Sequence, residues 1–341
     1  MPDADGPPTP PDGREAPPPG ESLRRLLAVL DLSSEGLDDR GQDLFSGGSL
    51  PQPHGRVFGG QVLAQSVVAA SRTIGDEPAG GDERADGQGA VGPESRPLHS
   101  LHGYFLRAGD SSRPITFAVE RLRDGRSFSA RRVHALQADR PILSMIASFQ
   151  APADGADRQD AAPDVPGPED LPATADVLGT DDAPAAWRAP DGTPGDASGA
   201  DLRAWARSWV RSRPVELRHV PVDALPPGDG QAVWLRAGER LPDDPVLHRA
   251  VLAFASDDSL LEPVLTGQGL TWASRGVRVA SLDHAMWWHR PARADEWLLY
   301  RQRSPSASSD RGLATGSLFR RDGVLAATVA QEGMVRVPRR R

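Results

Sequence analysis

The chain repeats itself, and no other sequence feature limits its fold as strongly. The two copies share the pairs Ser100-Leu101 and Ser281-Leu282, and the runs Ala147-Ser148-Phe149-Gln150 and Thr328-Val329-Ala330-Gln331. The offset is the same at both ends, from 100 to 281 and from 150 to 331, with small gaps between. Such a repeat predicts two copies of one supersecondary unit, which pack together because neither can bury its apolar face alone.

Each copy is predicted to combine one long helix with antiparallel strands. Residues 59–70 are small and apolar nearly all round, which is typical of a buried helix. The second helix starts at Asp243-Asp244-Pro245, an acidic cap followed by a proline in the first turn, and runs to Asp258. Alternating apolar residues and the turn signals Asp124-Gly125 and Asp322-Gly323 indicate antiparallel hairpins.

The predicted strands are 98–107, 114–123, 126–137 and 141–150 in the first copy, and 215–221, 231–237, 276–290, 296–303, 312–320 and 323–336 in the second. Placing the two sheets side by side in one curved layer lets each copy cover its helix. We therefore predict an α+β protein with a double hot-dog fold, two helix-plus-antiparallel-sheet repeats fused in one chain.

Shifts in composition indicate where the repeats begin and end. Residues 1–20 are rich in Pro, Gly and Asp, which predicts a disordered tail. The N-terminal repeat is predicted at 21–150, with Ser22 as the N-cap of a first short helix and a polar loop at 76–97. A second Pro- and Gly-rich stretch predicts a linker at 151–200, which leaves 201–341 for the C-terminal repeat.

Composition also argues against several classes of protein. The formal net charge of −8 argues against a nucleic-acid partner. No apolar run approaches the ~20 residues of a membrane span, and the N-terminus lacks a signal-peptide pattern. The chain contains no Cys, Lys or Asn, which excludes disulfides, a cysteine nucleophile, a P-loop lysine and Schiff-base chemistry. We expect a cytoplasmic homo-oligomer that uses no cofactor and no metal.

The stretch 279–290 concentrates more chemistry than any other part of the sequence. Strand alternation places two sets of side chains on opposite faces: Ser281, Asp283, Ala285 and Trp287 on one, and Leu282, His284, Met286 and Trp288 on the other. Both faces carry bulky apolar groups, so both are predicted to be covered. Polar groups in such a strand need partners, because burying one unpaired costs about 1–3 kcal/mol. A central strand with satisfied polar groups and a functional strand both fit this pattern.

Several longer motifs point to a known family. They are Gly55-Arg56-Val57-Phe58-Gly59-Gly60-Gln61-Val62, His99-Ser100-Leu101-His102-Gly103-Tyr104-Phe105-Leu106-Arg107-Ala108-Gly109-Asp110, Leu122-Arg123-Asp124-Gly125-Arg126-Ser127-Phe128-Ser129-Ala130-Arg131, Ala255-Ser256-Asp257, Leu282-Asp283-His284-Ala285-Met286-Trp287, Ser306-Ala307-Ser308-Ser309-Asp310-Arg311-Gly312, Gly323-Val324-Leu325 and Gln331-Glu332-Gly333. On these runs the chain resembles the acyl-CoA thioesterase II family of double hot-dog hydrolases, over most of residues 22–150 and 214–337. The resemblance implies hydrolysis of fatty acyl-CoA to free fatty acid and CoA.

The resemblance also implies a catalytic trio. The family places an Asp near the end of the second helix, a hydroxyl residue on the following strand and a Gln on the last strand. By motif position these are Asp257, Ser281 and Gln331. The family usually has Thr at the middle position, so Ser281 keeps the hydroxyl and lacks the methyl group.

These residue types suit thioester hydrolysis on chemical grounds as well. The reaction needs a water oriented at the carbonyl carbon and donors for the developing oxyanion. Asp257 can accept the proton of the water, while Ser281 and Gln331 can hold it by hydrogen bonds. We assign Gly59, Gly60 and Gln61 to substrate binding, because the start of a helix presents free N–H groups, with those of Gly60 and Gln61 as oxyanion donors.

Other readings remain open from the sequence. Asp258 could replace Asp257, and the match of Gln331 to Gln150 fits a purely structural role in both repeats. His284 and His289 fit core or ligand contacts better than a shared metal site. A serine hydrolase is disfavoured because no Gly-x-Ser-x-Gly elbow occurs, and a dinucleotide-like run at 87–92 is attributed to chance because it lacks a flanking strand and helix. The alternative function is an acyl-CoA or acyl-carrier-protein binding protein without turnover.

Overall fold

The computed structural model of the protein describes residues 20–52, 55–75, 96–187 except 179 and 181, and 213–336 except 227, 229, 273 and 275. The predicted disordered tail, most of the predicted loop 76–97 and the later part of the predicted linker lie outside these residues. The dinucleotide-like run at 87–92 also lies outside them.

The strands of the described residues form one antiparallel sheet of thirteen strands. The first repeat contributes β1 (Ser33–Leu37), β2 (Asp43–Gly47), β3 (Leu98–Phe105), β4 (Ile115–Asp124), β5 (Phe128–Gln137) and β6 (Arg140–Gln150). The second contributes β7 (Val215–His219), β8 (Gln231–Ala237), β9 (Arg278–Ser281), β10 (Asp283–Trp288), β11 (Leu298–Ser308), β12 (Arg311–Arg320) and β13 (Leu325–Arg336). Strand order is β1-β2-β4-β5-β6-β3-β10-β13-β12-β11-β8-β7, with β9 beside β13.

The β3–β10 pair joins the two repeats into one sheet. Its register is antiparallel and runs from Asp283 opposite Tyr104 to Trp287 opposite Ser100. On either side of this seam the strand order of one repeat mirrors that of the other. The observed sheet therefore has the side-by-side arrangement expected for a double hot-dog fold.

Two long helices, one from each repeat, pack against each other on this sheet. They are α2 (Gly59–Arg72) and α4 (Pro245–Ser256), and the shorter helices are α1 (Glu21–Leu30), α3 (Thr174–Val177) and α5 (Glu262–Thr266). Every residue of α2 from Gly60 to Ser71 is buried, as its small apolar composition predicts. The side chain of Asp244 caps α4 by accepting the N–H groups of Val246 and Leu247 at 2.8 and 3.3 Å, which confirms the predicted start of that helix.

Two local expectations differ from the structure. The N-cap of α1 is Gly20, with φ of 77°, and not the predicted Ser22, which lies inside the helix. The described part of the predicted linker packs against the second repeat: Trp187 Nε1 donates to Glu262 Oε1 at 2.8 Å, and Trp234 Nε1 donates to Pro166 O at 2.9 Å. Buried indole N–H groups need such partners, which ties this segment to the sheet.

Within the described ranges, no helix has the length and apolar character needed to cross a bilayer.

Candidate active site

The site lies where the end of α4 meets the start of α2. Asp257 is the C-cap residue of α4, and its Oδ2 accepts the backbone N–H of Gly60 at 2.7 Å. The N-cap residue of α2 is Phe58, whose side chain makes no capping hydrogen bond. A helix N-terminus leaves N–H groups unsatisfied and favours negative charge, so a carboxylate from the other repeat fits this place.

The glycine pair at the start of α2 allows this close approach. A Cβ atom on Gly60 would lie 2.5 Å from the carbonyl oxygen of Phe254, and one on Gly59 would lie 2.8 Å from Asp257 Oδ2. Real Cβ contacts are essentially never this short. The group that approaches the glycine pair is the Asp257 carboxylate.

The three residues of the predicted trio meet at this junction. Gln331 Nε2 donates to Asp257 Oδ1 at 2.6 Å and to Ser281 Oγ at 2.7 Å, while Ser281 Oγ lies 3.4 Å from Asp257 Oδ1. Gln331 is buried, whereas Asp257 and Ser281 remain partly exposed. A carboxylate, a hydroxyl and an amide thus converge on one point that solvent can still reach.

A β-bulge at Leu282 shapes the site. Ser281 pairs with Gly333 and Ala285 pairs with Ala330, so three residues of β9 and β10 stand opposite two of β13. The predicted regular alternation of side chains along 276–290 is therefore wrong. The extra residue at the bulge moves the side chains that precede it to the opposite face of the sheet. Ser281 and His284, predicted on opposite faces, both reach the end of α4, where His284 Nε2 lies 2.9 Å from Ser256 Oγ.

The bulge leaves a ladder N–H group without its strand partner, and Asp283 supplies the acceptor. Its Oδ1 accepts the N–H of Glu332 at 2.7 Å, and its Oδ2 lies 3.1 Å from His102 Nε2. Asp283 therefore stabilises the bulge and does not belong to the trio.

Burial raises the pKa of Asp257 from an ordinary value of 3.8 to about 6. The hydrogen bonds from Gln331 and Gly60 and the charge of Arg213 oppose this rise, while the neighbouring Asp258 adds to it. A carboxyl group with this pKa is ionised at neutral pH and still basic enough to take a proton, which is the property of a general base.

Asp258, the alternative acid, has a different partner. It forms an ion pair with Arg213, with both side chains at least nine-tenths buried, and Arg213 Nε lies 3.1 Å from Asp258 Oδ1. The guanidinium group of Arg213 also stacks over Phe58 at 4.1 Å from the ring centroid. Asp258 is thus a packed, paired carboxylate, and Asp257 is the one that faces Ser281 and Gln331.

The structure corrects the roles predicted for Gly60 and Gln61 as oxyanion donors. The N–H of Gly60 donates to Asp257, and that of Gln61 donates to Phe58 O at 3.1 Å. The Gln61 side chain is buried and accepts the N–H of Leu50 at 2.9 Å. Both N–H groups are already used, so a role for Gly59 N–H is the part of this prediction that stays open.

The two histidines of the 279–290 stretch have different surroundings. His284 is fully buried, and burial lowers its pKa to about 4, so it is neutral at physiological pH. His289 Nε2 lies 2.9 Å from Thr328 Oγ1 in an exposed position. In the part of the chain that the structure describes, no group of three or more His, Asp or Glu side chains is arranged to hold a metal ion.

Two hot-dog repeats in one chain, with a carboxylate, a hydroxyl and an amide at the junction of their helices, define a double hot-dog protein with a hydrolase-like site. Sequence comparisons make this class more specific. Residues 207–334 match the family described as acyl-CoA thioesterase, and residues 49–150 match the acyl-CoA thioesterase N-terminal domain. The chain belongs to the acyl-CoA thioesterase family.

Individual relatives agree with this membership. Human acyl-coenzyme A thioesterase 8 is 36% identical, over 95% of this chain and 93% of its own, and acyl-CoA thioesterase 2 of Haemophilus influenzae is 33% identical, over 92% and 98%. The solved structure of acyl-CoA thioesterase II TesB2 from Mycobacterium marinum is 40% identical, with a TM-score of 0.67 over 92% of this chain and 98% of that one. The predicted family, the double hot-dog fold and the assignment as a thioester hydrolase are confirmed.

Proposed function

We propose that the protein hydrolyses fatty acyl-CoA to free fatty acid and CoA by direct attack of a water that Asp257 activates. One observation carries this proposal: Gln331 Nε2 bridges Asp257 Oδ1 and Ser281 Oγ at 2.6 and 2.7 Å, beside a helix start that holds the other carboxylate oxygen. Its family membership supports the choice of acyl-CoA as the thioester.

The reaction uses each group at one atom. A water that donates to Asp257 Oδ1 and accepts from the Ser281 hydroxyl keeps a second oxygen lone pair free for the thioester carbonyl carbon. As the C–O bond forms, Asp257 takes the proton of the water. When the oxyanion collapses, the C–S bond breaks, and that proton is available for the CoA thiolate.

The fixed geometry of the carboxylate serves this step. Gly60 N–H holds Oδ2 at 2.7 Å, which leaves Oδ1 as the basic oxygen toward Ser281 and Gln331. We assign Gly59 N–H to the oxyanion, because the first N–H of a helix has no intrahelical acceptor. The buried small residues of α2 are proposed to line the acyl path.

The test is thiol release from a panel of acyl-CoA thioesters by the wild-type protein and by Asp257→Asn. We expect turnover by wild type and a loss of about 10²-fold or more in the variant. Binding of acyl-CoA with no thiol release in wild type would favour the alternative, a protein that binds acyl-CoA or acyl carrier protein without turnover.

Direct attack has its own test, since a covalent mechanism would acylate the protein first. Rapid quenching during turnover, followed by intact-mass measurement, should show only unmodified chain. An acylated species located on Asp257 or Ser281 would mean that one of these groups is a nucleophile.

We also propose a homo-oligomer that uses the outer face of the sheet around the seam. Tyr104, Ile146 and Trp287 are 54%, 52% and 41% exposed, and the register of β3, β6 and β10 places them on the same face. Exposed aromatic residues in one patch are typical of protein interfaces. Light scattering of wild type and of Trp287→Ser tests the association; the predicted cytoplasmic location stays a prediction.

A further inference from the structure

We infer that His284 is a positioning residue, which holds the side-chain amide of Gln331 in the one orientation that serves Asp257 and Ser281. This inference rests on the proposed function, since it concerns the Gln331 of that site. It adds a fourth side chain to the site, one that does not touch the attacking water.

The orientation of the Gln331 amide decides what the site can do. With Nε2 toward Asp257 and Ser281, both amide hydrogens meet acceptors at 2.6 and 2.7 Å. Turned by half a rotation, the amide would place Oε1 against the Asp257 carboxylate, where two acceptors repel each other. An isolated glutamine side chain has no intrinsic preference between these two amide orientations. The residue that contacts Oε1 must therefore determine the orientation.

His284 lies on the Oε1 side of the amide. Extending the β10–β13 register by one residue from Ala285 opposite Ala330 places His284 opposite Gln331, and directly opposed side chains on one face are neighbours. Nδ1 of His284 and Oε1 of Gln331 are both buried, and within the described residues neither has a hydrogen bond of ordinary geometry. Burial lowers the pKa of His284, and the nearby Gln331 side chain opposes that effect.

The contacts of Ser256 allow two positions for the ring proton of His284. Ser256 Oγ lies 2.9 Å from His284 Nε2 and 3.0 Å from Ala253 O, and one hydroxyl proton can serve only one of these acceptors. If Ser256 donates to Nε2, the ring proton sits on Nδ1 and can be donated to Gln331 Oε1. Every group in the chain Ser256–His284–Gln331–Asp257 then has a partner of the right kind.

The opposite arrangement fails for an ionised Asp257. With the ring proton on Nε2, the Nδ1 lone pair would face Gln331 Oε1, leaving two buried acceptors together. Turning the amide would repair this contact but would place Oε1 against the carboxylate. The neutral histidine with its proton on Nδ1 is therefore the form that matches the working state of the site.

Paired substitutions test the positioning role. His284→Leu removes the donor, and His284→Asn keeps an N–H at the place of Nδ1. We expect His284→Leu to lower kcat by about 10- to 100-fold with little change in KM, the size of loss known for residues that orient a metal-binding side chain. His284→Asn should recover most of the rate. His248→Leu and His248→Asn are the matched controls, since His248 is buried in α4 and its Nδ1 accepts Ala294 N–H at 3.1 Å; neither should change kcat.

The pH profile distinguishes positioning from packing. Because the Gln331 donor lowers the pKa of Asp257, its loss should move the acidic limb of kcat/KM to higher pH in His284→Leu and leave it in place in His284→Asn. Equal losses of kcat in both variants, with an unmoved limb, would overturn the inference.

A second measurement does not depend on activity. Two-bond nitrogen–proton correlation spectra of protein labelled with ¹⁵N-histidine report which ring nitrogen is protonated, and His284→Asn assigns the signal. We expect the proton on Nδ1 at neutral pH; a proton on Nε2 would overturn the inference. If the protein binds acyl-CoA without turnover, the proposed function fails, and this spectrum still decides the state of His284.

Discussion

The two long helices end at equivalent places in their repeats, and the two ends are built from opposite kinds of charge. The C-cap residue of α2 is Thr73, and that of α4 is Asp257. Thr73 accepts from the buried guanidinium group of Arg131, Oγ1 from Nε at 2.7 Å and O from Nη2 at 3.0 Å. Asp257 instead meets an amide, a hydroxyl and a backbone N–H.

The starts of the two long helices also have different partners. α4 is capped by its own Asp244, whereas the first N–H groups of α2 include one that donates to Asp257 from the other repeat. Arg131 makes five hydrogen bonds, two of them to Thr73 at the end of α2, and so acts as a structural lock. The end of α4 has only neutral hydrogen-bond partners, and these leave the Asp257 carboxylate basic. Equivalent positions of the two repeats thus hold a structural anchor in one case and the proposed catalytic base in the other. We therefore predict one active site per chain.

The largest effect should come from removing the carboxylate itself. Asp257→Asn keeps the shape and removes the base, so kcat should fall by about 10²- to 10⁴-fold, the range for a lost general base. The melting temperature at pH 8 should stay within a few degrees of wild type. Near-normal turnover in the folded variant would contradict the assignment of Asp257.

The matching glutamines of the two repeats give a paired test. Gln331→Ala should lower kcat by about 10²-fold, because Asp257 and Ser281 lose the amide that holds them in place. Gln150→Ala, at the corresponding place on β6, should leave kcat unchanged with at most a loss of about 1 kcal/mol in the free energy of unfolding. If Gln150→Ala removed about half of the activity, two working sites would exist and the comparison would fail.

Substitution of Arg131, which locks the end of α2, should lower stability and leave kcat unchanged. Arg131 is buried and pairs with Asp124 at 2.7 Å, so Arg131→Met should lower the free energy of unfolding by about 3 kcal/mol. Denaturant titration measures this loss. The kcat of the folded fraction should equal that of wild type; a loss of kcat beyond the unfolded fraction would show that the two ends are coupled.

The pH dependence should follow the protonation of Asp257. Its pKa of about 6 means that the base is lost below this pH, so kcat/KM should fall about tenfold per pH unit there and level off above about pH 7. The contribution to stability has the opposite sign. Between about pH 6 and 3.8 the native state holds a proton that the unfolded chain has lost, so Asp257 stabilises the fold as pH falls through this window.

These two trends separate catalysis from acid unfolding. A short assay after a pH jump, with intrinsic fluorescence recorded in parallel, should show the activity falling while the protein is still folded. An acidic limb near the ordinary carboxyl value of 3.8 would place the base elsewhere.

The smallest effect is expected for Ser281→Thr. Threonine keeps the hydroxyl and suits a strand, where a β-branched side chain is stiffer about χ1. Turnover should stay within a few-fold of wild type, because the hydroxyl is kept. Complete loss of activity would mean that the pocket is packed around serine.

Much of the fold was predictable, because periodicity and repetition are local properties of a sequence. The buried helix 59–70, the start of α4 at Pro245 and most strand positions follow from side-chain pattern and turn residues. The trio followed from the resemblance to a family, and the structure brings its three members together. Their catalytic roles, like the acyl path proposed along α2, stay predictions.

What escaped prediction depends on partners that are distant in sequence. The bulge at Leu282 exists only relative to β13, so alternation along one strand could not reveal it. Likewise, the acceptor of the Gly60 N–H is Asp257, which lies almost two hundred residues away, so the sequence around Gly60 could not show that this donor is used. The short strand β1 and the helix α5 were missed because neither has a long enough apolar period to stand out.

Fusion of the two repeats has an evolutionary consequence. In a symmetric dimer of single repeats, each helix end would occur twice with identical residues, so a change that built an anchor would remove both catalysts. Within one chain the copies mutate independently, and the Arg131–Thr73 lock and the Asp257 carboxylate can coexist. Because Gly60 of one copy donates to Asp257 of the other, the proposed base still depends on both copies. In the fused chain, one helix end can therefore serve stability while the proposed site depends on both repeats.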